Sequence, residues 1–192
     1  MNWPTISLDA VSAWQVGVVF FACLIAAIWD VAVNRIPNIL TLPMIIGGLA
    51  WAAWRHSAMG FFDAIAASFI LALPYLLLFM YAKGGAGDVK LMAGIGAWTG
   101  LACGLVVLLL IALSGVVIGI AVELARRQCQ AVVTRLAAVV HLALAAIVRR
   151  SPAALSSAFL PLESKNSQPM PYGVAIFAGV CLASGGFLLW HA

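Results

Sequence analysis

Long apolar stretches separated by short polar breaks dominate the chain. The first stretch runs from Ala13 to Val33 and contains one charged residue, Asp30. About 20 apolar residues in a helix cross the hydrocarbon of a bilayer, so this stretch predicts a membrane-spanning helix. The polar segment 34–38 follows and contains Pro37. It predicts the end of the helix, because proline disfavours helical geometry at the residue before it.

Further stretches of the same kind continue towards the C-terminus. They predict spans at 39–54, 60–81, 101–122 and 172–190, with a short, partly irregular helix at 88–99. Residues 55–57, Arg-His-Ser, predict a polar turn between the second and third spans. The pattern therefore predicts an all-α, polytopic membrane helix bundle of about six transmembrane helices. The apolar run 136–148 is too short to cross easily, and we interpret it as an interfacial segment or a short packed helix.

Composition supports lipid as the solvent of this chain. It is 65% hydrophobic and 8% charged, with a mean hydropathy of +1.13, whereas soluble domains carry about 25% charged residues. We expect one integral membrane domain over residues 1–192. The four cysteines form no CxxC pair and the three histidines lie apart in sequence, so neither a metal site nor a cofactor is predicted.

The basic residues give the predicted helices an orientation. The turn after the first span, the loop 82–90 and the region 123–171 fall on one side of the bilayer and carry nine of the ten basic residues. Arg55 alone falls on the other side. This bias predicts that the nine-residue side faces the cytoplasm. The basic residues sit beside apolar spans and form no long stripe, so nucleic acid is not an expected partner.

Two of the six acidic residues stand out by position. Asp30 lies about one turn from the predicted cytoplasmic end of the first span, and Asp88 opens the fourth helix on the same side. A carboxylate inside a membrane is costly, which makes each a candidate functional group. Two carboxyl groups at one depth suit acid–base hydrolysis of a peptide bond. The alternative is that each aspartate reaches the membrane interface independently of the other, or pairs with Arg35 or Lys90.

Glycines precede the second aspartate. Gly84, Gly85 and Gly87 permit close approach of the backbone to a ligand or another chain, which favours a shared site over a plain interfacial turn. The four letters Gly85-Ala86-Gly87-Asp88 follow the pattern GxGD. A phosphate-binding loop is excluded, because no strand precedes the glycines and no GK[ST] follows them.

Three segments together resemble the type IV prepilin peptidases. "WDVAVNRIPNILTLP" (29–43) is similar to the first aspartate motif of that family, and "KGGAGDVKLMAGIGAWTG" (83–100) to the second, GxGD followed by an apolar helix. "MPYGVAIFAGV" (170–180) resembles the C-terminal P-[YF]-G segment. The three matches occur in the family's order.

The resemblance implies an intramembrane aspartic endopeptidase. Such an enzyme removes the leader from pilin-like precursors at the cytoplasmic face of the inner membrane, just ahead of the precursor's hydrophobic N-terminal helix. Asp30 and Asp88 would be the catalytic pair. The supporting positions carried over are Gly85, Gly87, Lys90, Arg35, Pro37, Asn38, Pro171, Tyr172 and Gly173.

The short form of the chain narrows this expectation. Longer family members carry an N-terminal cytoplasmic insertion with paired CxxC motifs and also methylate the pilin; methyltransferase activity is therefore not expected here. The short form resembles the peptidases of tight-adherence (Flp) pili, with archaeal preflagellin peptidases as an alternative. A transporter or proton pathway using the same two aspartates, or a non-enzymatic assembly component, is the alternative outside this family.

Overall fold

The computed structural model describes residues 11–33, 35–82, 85–125 and 172–190. All regular structure in these ranges is α-helical, in four elements: α1 Ala13–Val33, α2 Asn38–Ala82, α3 Ala86–Ala125 and α4 Tyr172–Trp190. The predicted all-α membrane helix bundle is thus confirmed. The segment predicted at 136–148 lies outside the described residues.

The helices are apolar on their outer as well as their inner faces. Phe21, Phe69 and Val117 are examples of large side chains exposed on the outside of the bundle, which is stable where lipid is the solvent. In the described part of the chain, Ala13–Val33, Ala58–Met80 and Ala86–Val122 are long and apolar enough to cross a membrane. The predicted first span is confirmed, and the total of about six spans stays a prediction.

α2 is helical through residues 55–57, where the sequence predicts a turn, so no break in the helix occurs there. The half of α2 before residues 55–57 and the half after them nevertheless contact the same part of α3. A Cβ on Gly94 would lie 3.0 Å from Met44, and one on Gly96 would lie 2.6 Å from the Ala67 carbonyl oxygen. Met44 and Ala67 would be about 35 Å apart in a straight helix. α2 therefore folds back on itself between them.

α3 consists of two helices joined by a kink at Gly100, which has φ 68° and ψ −179°. Glycine tolerates this left-handed φ without steric cost. The amide of Leu101, at the start of the second helix, donates to Asp63 Oδ2 at 3.1 Å. The predicted break between a short fourth helix and a long fifth one is confirmed. Asp63, from α2, thus provides an acceptor for the first amide of the second helix.

Contacts between the helices fix their directions. The Gln15 side chain donates to the Trp98 carbonyl at 3.0 Å, so the start of α1 lies beside the end of the first helix of α3. The Ser114 hydroxyl donates to the Ala175 carbonyl at 2.8 Å, which joins the second helix of α3 to α4. Within the described ranges, α1, the two halves of α2, the two helices of α3 and α4 run alternately in opposite directions.

One apolar core joins all four helices, and the two ends of the bundle differ. The core includes fully buried Cys23, Leu71, Leu91, Ile95 and Ile176. At one end the rings of four tryptophans are in contact: Trp14 with Trp51 at 4.5 Å and Trp98 at 5.3 Å, and Trp51 with Trp54 at 5.9 Å. Asp30 and Asp88 lie at the opposite end.

Candidate active site

Asp30 points into the bundle because it continues the buried face of α1. The buried residues Val19, Cys23 and Ala26 recur at helical spacing, and Asp30 follows one turn later. Only 7% of Asp30 is exposed. A carboxylate in this position needs a polar partner, because burial of an unpaired charge is costly.

Gly173, at the start of α4, supplies that partner. Its amide donates to Asp30 Oδ2 at 2.8 Å. The first amides of a helix have no acceptor within the helix, so a carboxylate placed there satisfies one of them. A Cβ on Gly173 would lie 2.9 Å from both Cβ and Oδ2 of Asp30. Glycine therefore allows the backbone of α4 to approach the carboxylate this closely.

Asp88 lies in the first turn of α3 and is also 7% exposed. Its amide donates to the Gly85 carbonyl at 3.2 Å, which closes the turn before the helix. A Cβ on Gly85 would lie 2.7 Å from Asp88 Oδ2. The carboxylate thus lies over Gly85, where any larger residue would displace it.

The two carboxyl groups interact electrostatically with each other across the bundle. Hydrolysis of a peptide bond by two carboxyl groups requires one of them to be ionised and the other protonated. A pair with one proton can remove a proton from water and donate another to a carbonyl oxygen. The described residues contain no group of three or more His, Cys, Asp or Glu side chains that could hold a metal ion.

The segment between α1 and α2 packs against the start of α3. A Cβ on Gly87 would lie 2.7 Å from the Ile36 Cβ, so glycine lets the two backbones meet. The Pro37 carbonyl accepts from the Leu40 amide at 3.1 Å and begins α2. Lys90 Nζ donates to Asn38 Oδ1 at 2.8 Å. These contacts connect the beginning of α2 with the first turns of α3, which contain Asp88.

The other residues expected to support the site are placed as follows. Arg35 and Tyr172 are exposed at the same end of the bundle. Pro171 lies outside the described residues. The structure adds Tyr75, which interacts electrostatically with Asp88 and Tyr172. The sequence alone does not single out Tyr75, because a tyrosine in an apolar span gives no sign of the helix face it occupies.

An apolar groove lies beside α3, between the two halves of α2. Its volume is about 370 Å³ and its lining includes Ile45, Leu49, Phe69 and Ala93. Val89, the residue after Asp88, lines it as well. The groove therefore extends along the bundle from the level of the aspartates.

Residues 17–120 match the sequence model of the type IV leader peptidase family. The matched part is more than half of the chain and contains both aspartates. The chain belongs to the type IV leader peptidase family. This leader peptidase is accordingly a protease of the membrane, and the resemblance stated from its motifs is confirmed. Searches of curated proteins and of solved structures found no match to it. The contact between Gly173 and Asp30 lies partly outside the matched residues.

Proposed function

We propose that the chain is an aspartic endopeptidase that removes the leader from Flp-type, pilin-like precursors at the cytoplasmic face of the membrane. The observation that carries the proposal is the position of Asp30 and Asp88, two buried carboxyl groups at the same end of an apolar bundle, one held by the start of α4 and the other in the first turn of α3. Membership of the leader peptidase family supports the class of substrate. The bias of basic residues towards the aspartate side supports the cytoplasmic location.

The proposed reaction uses one water and the two carboxyl groups. The ionised carboxylate takes a proton from the water, whose oxygen bonds to the carbonyl carbon of the scissile peptide. The protonated carboxyl gives its proton to the carbonyl oxygen. The C–N bond then breaks, the leaving nitrogen takes the proton held by the first carboxyl, and the second regains its own. Both carboxyl groups return to their starting states.

The apolar groove supports a substrate that remains in lipid. A pilin-like precursor brings a hydrophobic helix directly after its leader, and this helix needs an apolar surface that reaches the aspartates. The groove has that character and begins at the residue next to Asp88. Polar lining is almost absent, so the surface suits an aliphatic helix and not a charged leader.

The test is co-expression with an Flp-type precursor and measurement of leader removal by the mass of the product. Asp30→Asn and Asp88→Asn should each abolish cleavage, because neither amide can exchange the required proton. Asp63→Asn is the matched control: it also changes an acid in the bundle, but at the end that carries Gly100. We expect Asp63→Asn to cleave as the wild type does.

The results separate this proposal from a transporter or proton pathway. Loss of cleavage in both site variants at normal expression, with activity in Asp63→Asn, supports the peptidase. Cleavage by either site variant would contradict the assignment of the pair. A proton pathway predicts carboxyl groups near the bilayer midplane, and both aspartates instead lie at helix ends.

A further inference from the structure

Tyr75 comes to the level of Asp88 because of how α2 and α3 pair. The second half of α2 runs antiparallel to the first helix of α3. Asp63 lies against Gly100, and Ala67 lies against Gly96. From the first pair to the second, the chain advances four residues along α2 and goes back four residues along α3. Two more steps of four residues lead from Ala67 to Tyr75 and from Gly96 to Asp88.

Tyr75 also lies on the face of α2 that meets α3. Ala64, Ala67 and Leu71 form the buried stripe of this half of the helix, and Tyr75 follows Leu71 by four residues, which is one turn. Its ring is partly buried and packs against the core cluster. The electrostatic interactions of its hydroxyl with Asp88 and Tyr172 agree with this placement.

Two of the other donors near the pair already have partners. The Gly173 amide is used by Asp30, and the Lys90 ammonium by Asn38. Peptide hydrolysis builds negative charge on the carbonyl oxygen, and donors aimed at that atom stabilise the transition state more than the ground state. A phenol supplies such a donor without adding a charge to the apolar bundle.

We propose that the Tyr75 hydroxyl is a third polar group of the active site and donates a hydrogen bond to the carbonyl oxygen of the scissile peptide bond. This inference rests on the proposed peptidase function. It assigns to the second half of α2 a direct part in catalysis, beside Asp30 from α1 and Asp88 from α3.

Steady-state cleavage of a purified precursor by Tyr75→Phe tests the inference. The variant keeps the ring and its packing and loses only the hydroxyl. We expect kcat to fall by on the order of 100-fold, as for loss of one oxyanion donor, with KM nearly unchanged, because the bond strengthens only in the transition state. Ser184→Ala is the control for loss of a hydroxyl: Ser184 lies on α4, about three turns beyond Gly173, and its hydroxyl donates to the Val180 carbonyl of its own helix. Its kcat should match the wild type.

The outcomes of these measurements separate the role of Tyr75 from the proposed peptidase function on which it rests. Wild-type kcat in Tyr75→Phe, with Asp30→Asn and Asp88→Asn inactive, overturns the role of Tyr75 and leaves the peptidase proposal intact. A raised KM or a lower unfolding temperature with unchanged kcat assigns Tyr75 to packing, which also overturns it. Cleavage by either aspartate variant overturns both.

Discussion

Gly173 fixes the Asp30 carboxylate in two ways. Its amide holds Oδ2 at 2.8 Å, and its lack of a side chain leaves the space that the carboxylate occupies. The hydrogen bond that satisfies the first turn of α4 therefore also orients one of the two proposed catalytic groups. This contact links positions that are 143 residues apart in sequence.

Gly173→Ala should lower activity by displacing Asp30. The new methyl group would lie 2.9 Å from Cβ and Oδ2 of the aspartate, which is closer than carbon atoms pack, so the carboxylate must move. A displacement of about 1 Å at a reacting group can reduce rate by about 100-fold. We expect kcat/KM for precursor cleavage to fall at least about tenfold and stability to fall by about 1–3 kcal/mol.

Gly185→Ala provides the control for this substitution. It lies on the same helix, and a Cβ there meets nothing within 4 Å. Its cleavage rate should equal that of the wild type, with stability unchanged or slightly higher, because alanine favours helix. Equal kcat/KM in the two alanine variants would contradict an orienting role for Gly173.

The sequence could single out the aspartates but not all of their neighbours. Asp30 and Asp88 are visible because carboxylates are rare in apolar helices. Gly173 was carried over from the family resemblance alone, since no spacing rule shows which helix terminus meets Asp30. Tyr75 was missed, because the role proposed for it depends on the register between α2 and α3, which a single sequence does not reveal.

The Gly100 kink shows how an element is divided by side chains from elsewhere. Gly100 adopts a positive φ, and the helix that begins after it has amides without acceptors inside the helix. Asp63 accepts from the first of these, the amide of Leu101. The glycine permits the change of direction, and the aspartate from α2 stabilises the new helix end.

Asp63→Ala should therefore destabilise the fold without altering the reaction. Loss of a capping acceptor costs about 1 kcal/mol, within a range of roughly 0.5–2 kcal/mol. Thermal unfolding of the purified protein in detergent should show a lower midpoint for Asp63→Ala, and the folded protein should still cleave the precursor. Asp63→Asn retains an oxygen acceptor and should unfold close to the wild type. A midpoint for Asp63→Ala equal to that of the wild type would mean that the cap contributes nothing.

The two reversals of direction differ in how visible they are in sequence. The break in α3 could be predicted because Gly100 separates two apolar runs. In α2 the sequence Arg-His-Ser at 55–57 contains neither glycine nor proline, and all three residues are compatible with a helix. Helical hydrogen bonding therefore continues where a turn was predicted. The reversal shows only in the contacts of Met44 and Ala67 with α3.

The whole molecule has one end with the aspartates and one with the tryptophans. Arg35 and Lys90 accompany the aspartates, whereas Arg55 follows directly on Trp54 at the aromatic end. Tryptophan is enriched where helices meet the membrane–water interface, and basic residues are enriched on the cytoplasmic side. The tryptophans mark one interface, and the distribution of basic residues supports the proposed orientation, with the aspartates towards the cytoplasm.

Cysteine labelling of intact spheroplasts tests that orientation. Arg35→Cys and Arg55→Cys change exposed residues at opposite ends of the bundle, in a background in which the four native cysteines are alanine. A membrane-impermeant maleimide should label Arg55→Cys directly and Arg35→Cys only after permeabilisation. The opposite pattern would place Asp30 and Asp88 at the outer face, where a precursor whose leader is still cytoplasmic cannot reach them. Cleavage of such a precursor therefore requires that the cysteine of Arg35→Cys be protected from the maleimide in intact spheroplasts. The orientation of the whole bundle thus decides whether the two carboxyl groups can reach their substrate.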